Sequence, residues 1–596
     1  MTWILPLLLI VPLGTAALLS MGLPRSSRSV RGARLLTLAA MAATALIGLF
    51  AVTQVGTPDP AAGGVSALAG GIDWAGGLGL RIGYDLDALS AWLVVLLVLL
   101  PPVAVMLWSN GASIRAAAAA DGAEGEREGQ GTGGTAVRFA PNSRRIYAWL
   151  LVLQACMLGT AIASDALLFY ATFELALLPT LLLMRKHGVG DGRARAMAAR
   201  TFFFFNFTGS LLTLAAILYV AARHHAAFHA WTFDIASLYE VAPLLSPTEQ
   251  AWLLVGFLAG FGLKTPLFPL HAWLPITHGA TPANGALDVA ALVLKLGPYA
   301  LLRFAIPLCA AGIELLAPVL GALAVIGILY AGVVGWVQRD AKKLLAYSSI
   351  SHMGFVLLGL FALDADAAGA TGAMAYVIAY AATAGGLFAC VGIVETRFGT
   401  RSLTELQGLA AKMPVFACFV VLFVMAAAGL PGLSGFPGEF LTMLGASDAE
   451  TGTLGIGYAA AAALGVILAA MYLLWMAGRL LFGPLRVPAA RTAHLRDLSV
   501  TEITALAPLA ALCLVLGFFP NLLLDPVGRT VARLQAVQDT VLVGQPEGPQ
   551  RRDGGNDATL DPLKFSEGVS EDTRSGSKSL PFISVIHPQS ARLASD

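Results

Sequence analysis

The sequence predicts an all-α polytopic membrane protein, and three observations carry that reading. The chain is 57% hydrophobic and only 12% charged over 596 residues, where soluble domains carry roughly 25% charge, and its mean hydropathy is +0.75. Apolar runs of about 20 residues, the length a helix needs to cross a bilayer, recur from one end to the other. The runs do not alternate apolar with polar residues, which excludes the pattern of a transmembrane barrel. A net charge of +1 argues against nucleic acid as a partner and leaves the lipid bilayer as the surrounding medium.

Taken in order, the runs predict about fourteen spans, with edges set to within a few residues. They lie near 3–22, 34–55, 87–108, 145–163, 166–184, 201–221, 252–276, 283–306, 313–336, 343–362, 372–394, 413–441, 455–482 and 500–520. The first, MTWILPLLLIVPLGTAALLS, is as apolar as a signal peptide but lacks the charged leading region, so it reads as a span. Charge asymmetry tests the alternation. The loops after odd-numbered spans hold Arg25 to Arg34, Arg115 to Arg145, Arg185 to Arg200, Arg339, Lys342, Lys343, Arg397, Arg401, Lys412 and Arg479 to Arg496. The opposite loops hold only Arg81, Arg223 and, at a helix end, Arg303. This places the first set in the cytoplasm and both termini on the outer side.

The expected organisation follows. Residues 1–108 carry three spans, and 109–144, rich in Gly, Ala and Glu, form a flexible cytoplasmic loop. Residues 145–306 and 307–482 carry five spans each, 483–525 the last span, and 526–596 a polar, disordered tail whose island LPFISVI is too short to cross. Cys156, Cys309, Cys390, Cys418 and Cys513 are scattered singly, without iron–sulfur, zinc or CxxC spacing. No GxGxxG fingerprint or P-loop is present. The expectation is a chain without its own cofactor or metal.

Charged side chains inside spans cost about 2.5–3.5 kcal/mol on insertion scales, so each needs a reason. Four stand out: Glu174 in SDALLFYATFELALLPTLLLM, Lys264 in FGLKTPLFPLHAWLP, Lys295 in LDVAALVLKLGPYALLR and Glu439 in GLPGLSGFPGEFLTMLG. A single one would serve as a staple between helices. Four, two of each sign and each in a different span, favour a buried polar path along which protons are held and passed. His271 and His278 follow Lys264 at intervals of seven and would share its face if the helix continued. His352 lies in LLAYSSISHMGFVLLGL. For each of these histidines a satisfied structural role is the alternative.

Pro266 and Pro269 remove backbone donors beside Lys264 and break the helix. Broken helices at membrane depth are tolerated only inside protein or beside a water-filled cavity. GLPGLSGFPGEF repeats the device five spans later, again next to an ionisable residue. Breaks at corresponding positions point to two inverted five-helix repeats, spans 4–8 and 9–13, with ion sites at broken spans 7 and 12.

These residues carry a resemblance. LKTPLFPLHAWLP, LVLKLGPYALLRF, KKLLAYSSISHMGFVLLGL, LTELQGLAAKMPVF and GLPGLSGFPGEF resemble, in order and over about residues 80–525, the antiporter-like subunits of respiratory complex I and the Mrp-type cation/proton antiporters. The chain is most similar to the chain-M (subunit 4) branch: Glu439 stands where chains L and N are expected to carry Lys, no long amphipathic helix or final anchor of the chain-L kind follows, and residues 497–525 match the usual chain-M ending. The resemblance implies a pair between Glu174 and Lys264, an axial Lys295, His352 as the histidine of span 10, Glu439 toward the outer exit, and Asp288 as an acidic residue of span 8. Two stretches depart from the family pattern. LPITHGATP puts Ile276 and Ala280 where an acidic pair is expected while keeping His278, and YVIAYAATAGG puts Tyr380 where a histidine is expected. Tyrosine, with a pKa near 10, is a poorer proton carrier at neutral pH.

The implied function is proton translocation by a membrane-arm subunit of NADH:quinone oxidoreductase in a bacterial inner membrane, coupled to electron transfer elsewhere. NADH, FMN, iron–sulfur clusters and quinone would sit in partner subunits, with chains L and N as neighbours. Protons would enter near Lys264, pass Lys295 and His352, and leave near Glu439, with the Glu174–Lys264 pair as the switch. One alternative is a subunit of a Mrp-type Na⁺/H⁺ antiporter or of a hydrogenase- or carbon-uptake-linked relative. Another is a membrane spacer that no longer transports, against which the buried charges argue.

Overall fold

The computed structural model describes residues 3–22, 30–55, 68–120, 144–290, 293–448, 450–488 and 495–543. Among them, eleven helices are long and apolar enough to cross a membrane. They correspond to expected spans 1–6, 9–11, 13 and 14. Expected spans 7, 8 and 12 are built from shorter pieces. The first is Pro247–Phe257, a π turn Leu258–Gly262 and, beyond an irregular stretch, Trp273–Ala280. The second is Ala286–Ala290, Val293–Ala300, a π turn Leu301–Ala305 and Ile306–Leu308. The third is Pro414–Ala427 and Gly435–Ser447.

Packing sorts the helices by depth. Ala368–Phe398 is buried along its whole apolar stretch, and Ala341–Leu360 nearly so, as expected of helices enclosed on all sides. Ile4–Met21 and Gly192–Phe228 turn apolar side chains such as Leu7, Ile10, Leu211 and Leu218 outward, the arrangement a lipid-facing helix takes. Small residues set the close approaches, as membrane helices require. A Cβ at Gly209 would lie 2.1 Å from the Ala259 carbonyl oxygen, and one at Gly465 would lie 2.0 Å from Ile328 Cγ2.

Two elements depart from the expectation. Residues between spans 2 and 3 form an antiparallel hairpin, Gly70–Ala75 with Leu80–Tyr84. It is short and glycine-rich, so no strand alternation marks it. The tail was expected to be disordered from 526, yet Asn521–Val543 is a helix. It buries Leu523, Val527, Val531 and Leu534 at helical spacing while Arg529 and Arg533 stay exposed. Gln535 Nε2 donates to the Asp364 carbonyl at 2.7 Å. The remainder of the expected tail, 544–596, lies outside the described residues, as do 121–143 of the expected cytoplasmic loop; the Ala-rich start of that loop continues the helix Ala88–Ala120.

Candidate functional site

The first buried charge pair is placed by two helix breaks. Asp165 caps Ala166–Leu175 through the backbone N–H groups of Leu167 and Leu168, both at 2.9 Å. Pro179 has no N–H for the Leu175 carbonyl, and the helix is interrupted at Ala176 before resuming over Leu177–His187. Glu174 lies in the last turn before this interruption. Lys264 follows the π turn Leu258–Gly262 and ends its helix where Pro266 removes the next donor. The freed backbone groups find partners, as membrane depth demands. Trp273 Nε1 donates to the Leu263 carbonyl at 3.3 Å, Leu267 N to that of Gly262 at 2.9 Å, and Thr265 Oγ1 to that of Phe261 at 2.7 Å.

Lys264 is fully buried, with Nζ 2.8 Å from Glu174 Oε1 and 3.2 Å from the Phe173 carbonyl oxygen. Nζ also lies 3.3 Å from the centre of the Phe173 ring, a cation–π contact in a site lined by Phe169, Phe173 and Phe261. Glu174 Oε2 is buried without a hydrogen-bond partner. The carboxylate is hydrogen-bonded through one oxygen only.

The second site lies at the second break. Glu439, in Gly435–Ser447, places Oε1 3.2 Å from His352 Nδ1. Tyr376 Oη donates to the same carboxylate oxygen and shares a hydrogen bond with His352 Nδ1. On the other side of the ring, Tyr472 Oη lies 3.3 Å from Nε2 and donates to Ser348 Oγ at 3.0 Å. Tyr380 packs its ring 4.6 Å from that of His352 and bonds Ser349 Oγ at 3.2 Å. Gly429 makes room for the carboxylate. Its φ is +71°, and a Cβ there would lie 2.2 Å from Glu439 Oε2.

A third cluster joins other expected residues. His278 Nδ1 bonds Asp288 Oδ1 at 2.7 Å, and Thr281 Oγ1 donates to the same oxygen at 2.7 Å. Lys342, fully buried, lies 3.1 Å from both Asp288 Oδ2 and Glu395 Oε2. Arg401 pairs with Glu395 at 3.3 Å and with Asp340 at 2.7 Å. The helix before His271 does not continue, so His271 and His278 do not share a face with Lys264. His271 instead stacks beside Phe268 and Tyr330, its Nδ1 without a partner. The side chain of Lys295 lies outside the described residues.

Sequence reasoning therefore named Glu174, Lys264, His352, Glu439, His278 and Asp288, and the structure brings these together in pairs. It missed Tyr376, Tyr472, Lys342 and Glu395. Only Tyr376 left a signal, standing one helical turn before Tyr380.

Residues 163–465 match the family described as NADH:quinone oxidoreductase/Mrp antiporter, TM. The chain is 38% identical over 395 residues to NADH-quinone oxidoreductase subunit M of Rhodobacter capsulatus, covering 64% of this chain and 74% of that one. It is 35% identical over 379 residues to NADH-ubiquinone oxidoreductase chain 4 of Chondrus crispus, covering 63% and 73%. A chain of respiratory complex I from Thermus thermophilus superposes with a TM-score of 0.73 at 30% identity, covering 90% of this chain and 99% of that one. A chain of the Mrp complex from Dietzia sp. shares the fold, with a TM-score of 0.68 at 21% identity over 90% and 100%. The chain belongs to the NADH:quinone oxidoreductase/Mrp antiporter family of membrane subunits.

Proposed function

We propose that this chain is a proton-translocating membrane-arm subunit of an NADH:quinone oxidoreductase, of the subunit M or chain 4 type. The observation that carries the reading is the Lys264–Glu174 pair at a helix break, with Lys264 fully buried and Glu174 hydrogen-bonded through one carboxylate oxygen. A buried ammonium is stable only while an anion stands beside it. With Glu174 at 2.8 Å the charged form of Lys264 is favoured; with Glu174 withdrawn, burial favours the neutral amine and the proton moves on. The Glu439–His352–Tyr376 group offers the receiving end, because its imidazole has a partner on each nitrogen and its carboxylate accepts from Tyr376 and lies 3.2 Å from the imidazole. Lys295 is the intervening carrier, and Glu439 faces the outer exit.

The same reading makes spans 4–8 and 9–13 the two inverted units, 145–306 and 307–482, between three leading spans and a last one. It places both termini outside a bacterial inner membrane, sets chains of the L and N type alongside, and leaves NADH, FMN, iron–sulfur and quinone chemistry to other subunits. Inside-out vesicles carrying the intact complex test it. Lys264→Ala is expected to assemble and to lose most NADH-driven proton uptake. A wild-type proton-to-electron ratio in that variant would show the pair to be structural.

A further inference from the structure

Lys342 reads as a cytoplasmic loop charge in the sequence, yet it is one of the most deeply buried charged residues in the molecule. Besides its two carboxylates, Nζ donates to the Pro282 carbonyl at 2.7 Å and to Thr281 Oγ1 at 3.3 Å. Thr281 and Pro282 directly follow Trp273–Ala280, the short helix beyond the break that frees Lys264. Arg401 holds the same end from the other side, donating to the Gly279 carbonyl at 2.7 Å. The charged groups facing this end are thus His278, Asp288, Lys342, Glu395, Arg401 and Asp340, with the exposed Lys343 packed near Gly279.

The short helix walls a small cavity of about 20 Å³ whose open surface is apolar, room for roughly one water molecule. Thr180, Asn206, Thr277, His278 and Thr281 stand around it among apolar side chains, and none opens a polar surface into it. Asn206, one of the residues around it, has its Oδ1 buried without a partner. At its other end the short helix touches the Lys264 segment through Trp273 Nε1 and the Leu263 carbonyl. About two turns of helix therefore connect the contacts of Lys342 to the backbone beside Lys264.

We propose that Lys342 is a positioning residue for proton transfer: a latch, shared between Asp288 and Glu395, that ties the short helix Trp273–Ala280 to the helices Ala341–Leu360 and Ala368–Phe398 and so holds the cavity beside His278 in register with Lys264. Asp288 is contacted by both His278 and Lys342. A proton arriving on His278 strengthens its hold on Asp288, and Lys342 moves its charge toward Glu395. The latch loosens without any charge being left alone, because each cation keeps a carboxylate. This rests on the proton-translocating reading above.

The test compares wild type, Lys264→Ala, Lys342→Met and the double variant Lys342→Met/Glu395→Gln in inside-out vesicles. The double variant removes one charge of each sign, so it guards against a loss of folding caused by an unpaired buried carboxylate. Complex assembly, the proton-to-electron ratio, and passive decay of an imposed pH gradient with NADH absent are measured. The expected result is an assembled double variant with a lowered proton-to-electron ratio and a passive proton leak several-fold above wild type, because the cavity wall is no longer held. A double variant with wild-type ratio and leak, beside a Lys264→Ala variant that does not pump, would overturn the latch alone. Failure of both Lys342 variants to assemble would assign Lys342 to the scaffold and overturn it equally. Normal pumping by Lys264→Ala would instead remove the reading on which the latch rests.

Discussion

Gly429 shows how a single atom decides the Glu439 site. Its φ of +71° is one an L side chain adopts at a cost of about 1–2 kcal/mol, and its missing Cβ is the space occupied by Glu439 Oε2, 2.2 Å from where that atom would stand. Gly432, three residues on, has φ +89° and open space around the corresponding position. Alanine at either site carries the same backbone strain, but only Gly429→Ala pushes on the carboxylate. Gly432→Ala is therefore expected to lower the melting temperature of the complex slightly and to leave pumping near wild type. Gly429→Ala is expected to lower both, since Glu439 must leave Tyr376 and His352. Equal proton-to-electron ratios in the two variants would mean that the Glu439 position is not set by this glycine.

The same scale explains what was legible. Glu174, Lys264 and Glu439 could be found because a charge inside an apolar run has no cheap explanation. Tyr376 and Tyr472 could not, because an aromatic hydroxyl in an apolar span is ordinary until its partner is seen. Lys342 was masked by its neighbour. The pair Lys342–Lys343 beginning a span looks like a flank of cytoplasmic charge, yet Lys343 is exposed and Lys342 fully buried.

Among elements, the breaks were foreseen because proline and glycine act on the backbone locally, whatever surrounds them. The helix Asn521–Val543 was not, because its apolar residues are diluted among polar ones and only their spacing of three to four betrays a buried face. That face makes a prediction. Amides of Val527, Val531 and Leu534 are expected to exchange slowly with deuterated water in the assembled complex. Val531→Asp would place a carboxylate without a cation at a position only 1% exposed, costing several kcal/mol. Fast exchange throughout the helix is then expected, and with it loss of the Gln535 bond to the Asp364 carbonyl. Fast exchange in the wild type would mean that the helix does not dock.

Over the whole molecule, two ionisable sites stand at two helix breaks, with a chain of buried charges between the helices that carry them. Each site has one acid and one base in direct contact: Glu174 with Lys264, and Glu439 with His352. Two independent channels would each lose their own share of transport when its acid or base is removed, and the losses would add. One proton passing both sites in series gives a different result, because a path cut once gains no further loss from a second cut. The proton-to-electron ratio of Lys264→Ala, of Glu439→Gln and of the double variant separates the two cases. The series arrangement predicts that each single variant loses most of this subunit's pumping and that the double variant loses no more than the worse single. A double variant whose loss equals the sum of two partial losses would mean that each break serves its own proton, and the links between the helices through Lys342 would then be scaffold rather than part of one route.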